Sequence, residues 1–454
     1  MRFYAHVCIN IDAPSLRKKQ QQMPPPDGQP MGIEMKLGRR HFLAGVAGAA
    51  IMGSAGRLQA QTSVSLSVPW MGWPEEQVRP LMASFEASTP GVKIAEERLP
   101  IAELFRTLEV RLSARSATPD VYLVDGPLTA SYAARGHLLD LGNLVGGERD
   151  RYVASTLVQG TFKDKLFALP LGTSSQLLFY NKKLFAEAGL PEPSADPEKR
   201  MTWEGLLDIA KKLTKPETSQ FGFAFENSNP YQLLPLPQSR GVKVIGDDGL
   251  TATGYVDGDG MVDVMTWYKD LFHTHKVSPI GTFQTGVTQE MFGSGKLAMV
   301  LGGTWNLGGF AKFKDLDFGV VAHPFFKGGK PVTPTGSWHV GINPRTAHME
   351  QAQAFVKWMS TRDAMNLWFD LRQYPPSIKQ IWDERASTTF VDPVWKIVQY
   401  ELANTATPRP ITPGYREYEE FLRTAMQDIQ TGGDVKALLT KAATSIDREM
   451  RKYR

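Results

Sequence analysis

FKDKLFALPLGTSSQLLFYNKKLFAEAGLPEPSADPEKRMTWEGLLDIAKKL, residues 162–213, decides the fold. Residues 166–171 are an apolar run interrupted by Pro170 and ending before Gly172. Polar Thr173, Ser174 and Ser175 separate it from a second apolar run at 177–180. Two apolar runs with a hydroxyl-rich break between them read as strand, exposed crossing, strand. Asn181, Lys182 and Lys183 reverse the chain into a short helix that Gly189 and Pro191 close, and Thr202 is placed to N-cap the next helix, with Glu204 in its first turn.

Outward from this stretch, strand and helix patterns alternate. Val64, Leu66 and Val68 have strand periodicity, while Val78, Leu81, Met82 and Phe85 recur at helical spacing. Leu104, Leu108 and Leu112 make another helical stripe, followed by a compact strand at 121–124 and a helix through Tyr132 that ends at Gly136. Further on, 221–225 and 298–301 read as strands and 261–272 as a helix. Two amphipathic helices around Leu422 and Leu439 close the chain. Repeated strand-helix-strand units predict a mostly parallel sheet with its crevice at the strand ends.

The 454 residues, 42% hydrophobic and 22% charged, suffice for two cores. The formal charge of +4 comes from the first 60 residues, which hold eight basic and three acidic side chains. Without them 43 basic face 44 acidic, so nothing in the balance points to nucleic acid or an anionic membrane. Cys8 is the sole cysteine, and a chain starting near Gln61 has no thiol for disulfides, iron-sulfur ligation, nucleophilic catalysis or lipid attachment. After the leader no stretch approaches the roughly 18 consecutive apolar residues of a spanning helix.

At residues 38–45, GRRHFLAG sets Arg39 and Arg40 before a short apolar run, the layout of a secretory signal with the paired arginines of a twin-arginine (Tat) leader. Cleavage is expected after Ala60, with Ala55 the alternative. Translation starts at Met1, Met31 or Met35, and the Gln- and Pro-rich residues 1–30 read as disordered.

The order GKxYGLP, small residues, LxYNKxLFxxAGL and TWxELLxxAKKL resembles the bacterial extracellular solute-binding proteins of family 1, the maltose-type receptors of ABC importers. Residues 165–171 and 178–190 carry the first parts. FEASTPGVKI (85–94), FGSGKLAMVLGGTW (292–305) and RPITPGYREYEEFLRTAMQDIQTGG (409–433) extend the likeness across almost all of residues 64–454.

The resemblance implies an α/β, two-lobed periplasmic binding protein fold of type II, maltose-binding-like, with a ligand cleft between lobes. Crossings are expected near 170–175, 335–341 and 372–377. Residues 61–172 and 341–372 then form the N-terminal lobe, and 173–340 and 373–454 the C-terminal lobe, after a 1–60 extension with the Tat signal. It further implies a periplasmic, monomeric receptor without cofactor or metal. Its partners are a carbohydrate or polyol, ABC permease subunits in the inner membrane and a cytosolic ATPase.

A sugar has an apolar C–H face and a hydroxyl rim, so flat aromatic rings and a few fixed polar groups are the side chains to seek. Trp305 follows Gly302, Gly303 and Thr304 at a strand end, where glycines permit close approach, and the matching family position stacks on sugar. Trp338 lies at an expected crossing. Trp73 follows the first strand, whereas Trp70 beside it also fits a cap on the sheet; Trp203, Trp267, Trp358 and Trp368 read as core.

Asp125, directly after its strand, is an acceptor for hydroxyls or a turn aspartate. Ser174 and Ser175 bond ligand or satisfy backbone. Glu226 to Tyr231 resembles the family's glutamate-proline-tyrosine contact, but Asn227, Ser228 and Asn229 interrupt it, which leaves Tyr231 the safer choice. Arg372 and Tyr374 sit at the last crossing, with Arg409 a weaker candidate.

An anionic solute such as glycerol phosphate is the alternative cargo and would require an arginine such as Arg372. A Tat-exported enzyme acting on glycans, or a secreted cofactor enzyme, is the alternative class. Against it, His273 and His275 stand two apart, on different helix faces, no Gly-x-Ser-x-Gly elbow occurs, and LGGTWNLGG lacks a phosphate-loop lysine.

Overall fold

The computed structural model describes residues 63–145 and 148–454. The Tat, cleavage and start-site expectations fall outside these residues. The strand Val64–Met71 pairs in parallel with Val92–Leu99 through the helix Arg79–Ser88. The stripe read from the sequence is the buried one: Val78, Leu81 and Met82 are fully buried and Phe85 nearly so. Beside this pair lies Val121–Asp125, linked through the Asp120 N–H donating to the Ser67 carbonyl at 3.0 Å.

Val121–Asp125, Ser337–Ile342 and Leu169–Thr173 form one sheet in that order, antiparallel throughout. A second sheet runs Phe318–Ala322, Gln176–Asn181, Met299–Gly303, Ala224–Phe225, with only the last pair parallel. The architecture is therefore mixed rather than mostly parallel. A parallel neighbour needs a crossover of about a dozen residues or more. Gln176–Asn181 follows Leu169–Thr173 after only two residues, too few for a parallel crossover, and it enters the other sheet rather than folding back on its predecessor as a hairpin.

Every residue of Gln176–Asn181 is buried. Leu177 and Phe179 pack with Val300 and Val320 on one face, Leu178 and Tyr180 with the larger core on the other, which explains the unbroken apolar run. Thr202 caps the helix Trp203–Leu213 by accepting the Gly205 N–H at 3.1 Å, and Gly189 closes the preceding helical turn at φ +64°. The expected strand at 221–225 shrinks to Ala224–Phe225, because Phe221 makes only an isolated bridge to Leu297.

The segments expected to carry the crossings lie side by side. Thr173 Oγ1 donates to the Gly336 carbonyl at 3.0 Å, the Thr173 N–H to the Pro375 carbonyl at 2.9 Å, and Ser377 Oγ to the Pro170 carbonyl at 2.9 Å. Ser337–Ile342 belongs whole to the first sheet, so the boundary expected between 340 and 341 falls inside a strand. The helix Tyr415–Gln430, expected with the second lobe, also reaches the first-sheet side, where Arg416 pairs with Glu109 at 3.1 Å.

Candidate functional site

Ser174 and Ser175 are the whole link between the strands Leu169–Thr173 and Gln176–Asn181, and an aromatic group stands on each side of that link. On the first-sheet side Trp73 leaves the end of Val64–Met71 and meets Trp70, Trp338 and Trp368 edge to face, with centroids 6.0, 5.8 and 5.3 Å away. Trp368 is nearly fully buried, as its core reading required, and Trp70, which also fits a cap on the sheet, is fully buried.

Trp338 faces Asp125 on one neighbouring strand and Gly172 on the other, and a bulge follows it immediately. A bulge re-aims a side chain locally. Phe105, from the helix Ile101–Ser113, stacks on Trp338 at 6.5 Å and 16°. Tyr374 stacks on Trp368 at 6.2 Å, with Gly172 leaving room: a Cβ there would come 3.2 Å from Tyr374 Cβ. The Arg372 guanidinium lies over Trp73 and Tyr374, 4.5 and 5.2 Å from their centroids.

On the second-sheet side Tyr231 opens a short helix capped by Asn229 and sits 6.1 Å from Trp305, ring to ring. Its hydroxyl is 2.8 Å from Ser174 Oγ. Ser174 Oγ also accepts the Gly336 N–H and lies 2.9 Å from the Gly336 carbonyl. Burial pushes the Tyr231 phenol further up, so it stays neutral.

The close approach that the glycines before Trp305 allow is made by the protein itself. The indole folds back so tightly that a Cβ on Gly303 would come 2.0 Å from Trp305 Cζ3. Trp305 Nε1 then donates to Glu226 at 2.9 and 3.1 Å. Glu226 is 1% exposed and also accepts from Asn306 Nδ2 at 2.9 Å, with Gln232 Nε2 and Gln289 Nε2 at 3.4 and 3.5 Å. Burial raises its carboxyl to about 7, against the pull of the Trp305, Asn306 and Gln289 donors.

Two expected residues have other roles in this geometry. Asp125 spends both oxygens on Arg409, whose Nη1 stands 2.8 Å from Oδ2, and Arg409 lies over Tyr231 at 5.0 Å with Glu419 3.8 Å away. Ser175 is fully buried, and its Oγ lies 3.5 Å from the Gln176 carbonyl, so its hydroxyl faces backbone. Trp73, Trp338, Arg372 and Tyr374 thus come together in one group, Ser174, Tyr231 and Trp305 in another. Sequence reading missed Phe105, Asn306 and the part Glu226 plays, although an aromatic ring one position off the Leu104 stripe was a signal for the first.

Among the described residues no group of three or more His, Cys, Asp or Glu side chains is placed to hold a metal ion. No described helix is long and apolar enough to cross a membrane. Two cavities, of about 400 and 480 Å³, lie elsewhere: one beside Pro197 and Tyr400, the other beside Lys243 and Pro408.

The chain belongs to the bacterial extracellular solute-binding proteins, whose family model matches residues 72–366. It is similar to the galactooligosaccharide-binding protein of Bacillus subtilis (strain 168), 23% identical over 386 residues, or 81% of this chain and 85% of that one. Among solved structures it resembles the ABC substrate-binding protein Lmo0181 from Listeria monocytogenes in complex with cycloalternan. There the TM-score is 0.76 at 18% identity, covering 86% of this chain and 99% of the other. A solute binding protein of an ABC transporter from Agrobacterium radiobacter K84, in complex with ribitol, gives 0.72 at 24% identity, covering 86% and 99%. The fold is the α/β, two-lobed, maltose-binding-like one.

Proposed function

We propose that this protein is the receptor of an ABC importer, which captures a carbohydrate or polyol between two lobes and hands it unaltered to the permease. The observation that carries the reading is the pair of aromatic groups, one per sheet, that meet at the two-residue link Ser174–Ser175. Rings such as Trp338 and Trp305 offer faces for the apolar side of a sugar, and Ser174, Tyr231 and Arg372 offer polar atoms for its rim. The named ligands of the similar proteins, a galacto-oligosaccharide, a cyclic saccharide and a polyol, support this class.

A ligand that touches both groups stabilises the closed arrangement by the contacts it makes only there, and this difference drives closure. A micromolar receptor needs about −8 kcal/mol in total, within reach of stacking and a few hydrogen bonds, so no catalytic group enters the scheme. The dividing line between lobes passes through 174–175 and just before Ser337. The protein acts as a monomer in the periplasm, exported by the Tat route, with two permease subunits and a cytosolic ATPase as partners.

The test is a thermal-shift screen of the full-length protein against sugars and polyols. A true ligand at 100 times its Kd adds about 2.7 kcal/mol and a clear rise in Tm. Turnover of a glycoside by the purified protein would overturn the receptor reading.

A further inference from the structure

Among the described residues two arginines are buried, Arg200 and Arg409, and both are neutralised. Arg200 Nη1 lies 2.8 Å from Glu401 Oε1, and Arg409 is bonded to Asp125 with Glu419 nearby. Arg372 has no carboxylate partner among the described residues. It closes the helix Arg362–Arg372, and Gln373 at φ 55° turns the chain so that the guanidinium rests over Trp73 and Tyr374. Its hydrogen bonding amounts to one long contact, 3.4 Å from Nη2 to Tyr374 Oη; its Nε, like Arg409 Nε and Arg200 Nη2, is buried without a partner, but unlike them it has no carboxylate on its other nitrogens.

A guanidinium carries five N–H donors in a planar fork shaped for a carboxylate, and leaving such donors unmet inside a protein is costly. The rings around it are flat and sugar-sized, and Trp338 stands 5.8 Å from Trp73. At the opposite end the Trp305 indole is held by Glu226, a buried carboxyl surrounded by neutral donors. The site is thus asymmetric, with one free positive charge by Trp73 and, at Trp305, a ring held by a buried carboxyl among neutral donors.

Resting on the receptor reading above, we propose that the ligand is an acidic saccharide carrying one carboxylate, a uronic or aldonic acid, bound with its carboxylate on Arg372 and its neutral end towards Trp305. A single uncompensated cation suits a single negative charge. A phosphate dianion would leave charge unmatched, because Arg409 is already spent on Asp125.

Isothermal titration of the full-length protein with matched pairs tests this: galacturonate against galactose, glucuronate against glucose, gluconate against sorbitol, with glucose 6-phosphate as the dianion. The expected result is that the acid of at least one pair binds tenfold or more tightly than its neutral partner, with a ratio that shrinks as salt rises. Arg372→Gln brings the ratio to within twofold, while Arg372→Lys, which keeps the charge on a flexible stem, retains several-fold preference.

Neutral partners that bind as tightly as the acids in every pair would overturn the acidic ligand and leave the receptor standing. So would a preference that survives Arg372→Gln, or glucose 6-phosphate binding more tightly than the uronates. Folded protein that binds no member of either series counts against both readings.

Discussion

Glu226 meets four neutral N–H donors and no cation, an arrangement in which burial outweighs the hydrogen bonds and the carboxyl keeps its proton up to about 7. The unfolded chain releases that proton near the ordinary 4.5. Between the two values the folded protein binds more protons, so stability falls as pH rises through this window and levels off above it. The expected contribution is on the order of 3 kcal/mol across the window. Burial raises Glu419 to about 7 as well, so urea unfolding from pH 4.5 to 7.5 should show a slope in the wild type that Glu226→Gln makes shallower without abolishing; equal slopes would remove Glu226 as a source. A second expectation concerns the glycine under the indole. Gly303→Ala forces the Trp305 ring off its seat and should weaken ligand binding at least tenfold with a shifted tryptophan emission, read by fluorescence titration. Trp305 stood out in the sequence because a glycine pair preceded it. Glu226 did not, because its donors come from segments as far as 80 residues away and three intervening residues break the familiar motif.

At the scale of elements, helices with one buried stripe and strands buried on both faces were readable, as Val78 to Phe85 and Leu177 to Tyr180 demonstrate. Pairing was not. Ser337–Ile342 finds Val121–Asp125 more than 200 residues back, and local periodicity holds no record of such a partner or of the bulge beside Trp338. The same holds for Asp125, whose counter-ion lies 284 residues away. The link at Ser174 was legible as a polar break, but its strength depends on Gly336. Ser174→Ala leaves the buried Gly336 N–H without its acceptor and frees the Tyr231 hydroxyl, at a cost of about 1–3 kcal/mol. Tyr231→Phe removes only one end of the network and should cost less, so chemical denaturation of the two variants ranks them; the reverse order would place the strain at Tyr231 instead.

Across the whole molecule, Glu401 gathers segments scattered through the sequence. Fully buried, it accepts from Arg200, from the His323 N–H at 3.1 Å and from Thr333 Oγ1 at 2.8 Å, and it also bonds Thr405. Arg200→Met strips this carboxylate of its cation and should cost about 3–5 kcal/mol, whereas Arg200→Met with Glu401→Leu should recover much of the loss. Calorimetric Tm values check the pair; equal losses in single and double variants would refute the coupling. The segments joined through Thr173, Gly336, Pro375, Ser377 and Pro170 have a mechanical consequence of their own. Straps that are riveted to one another cannot twist separately, so closure as proposed above should swing the two halves like a door on a continuous hinge, along one path. Stopped-flow traces of ligand capture should then follow a single exponential, whichever half carries the reporter dye.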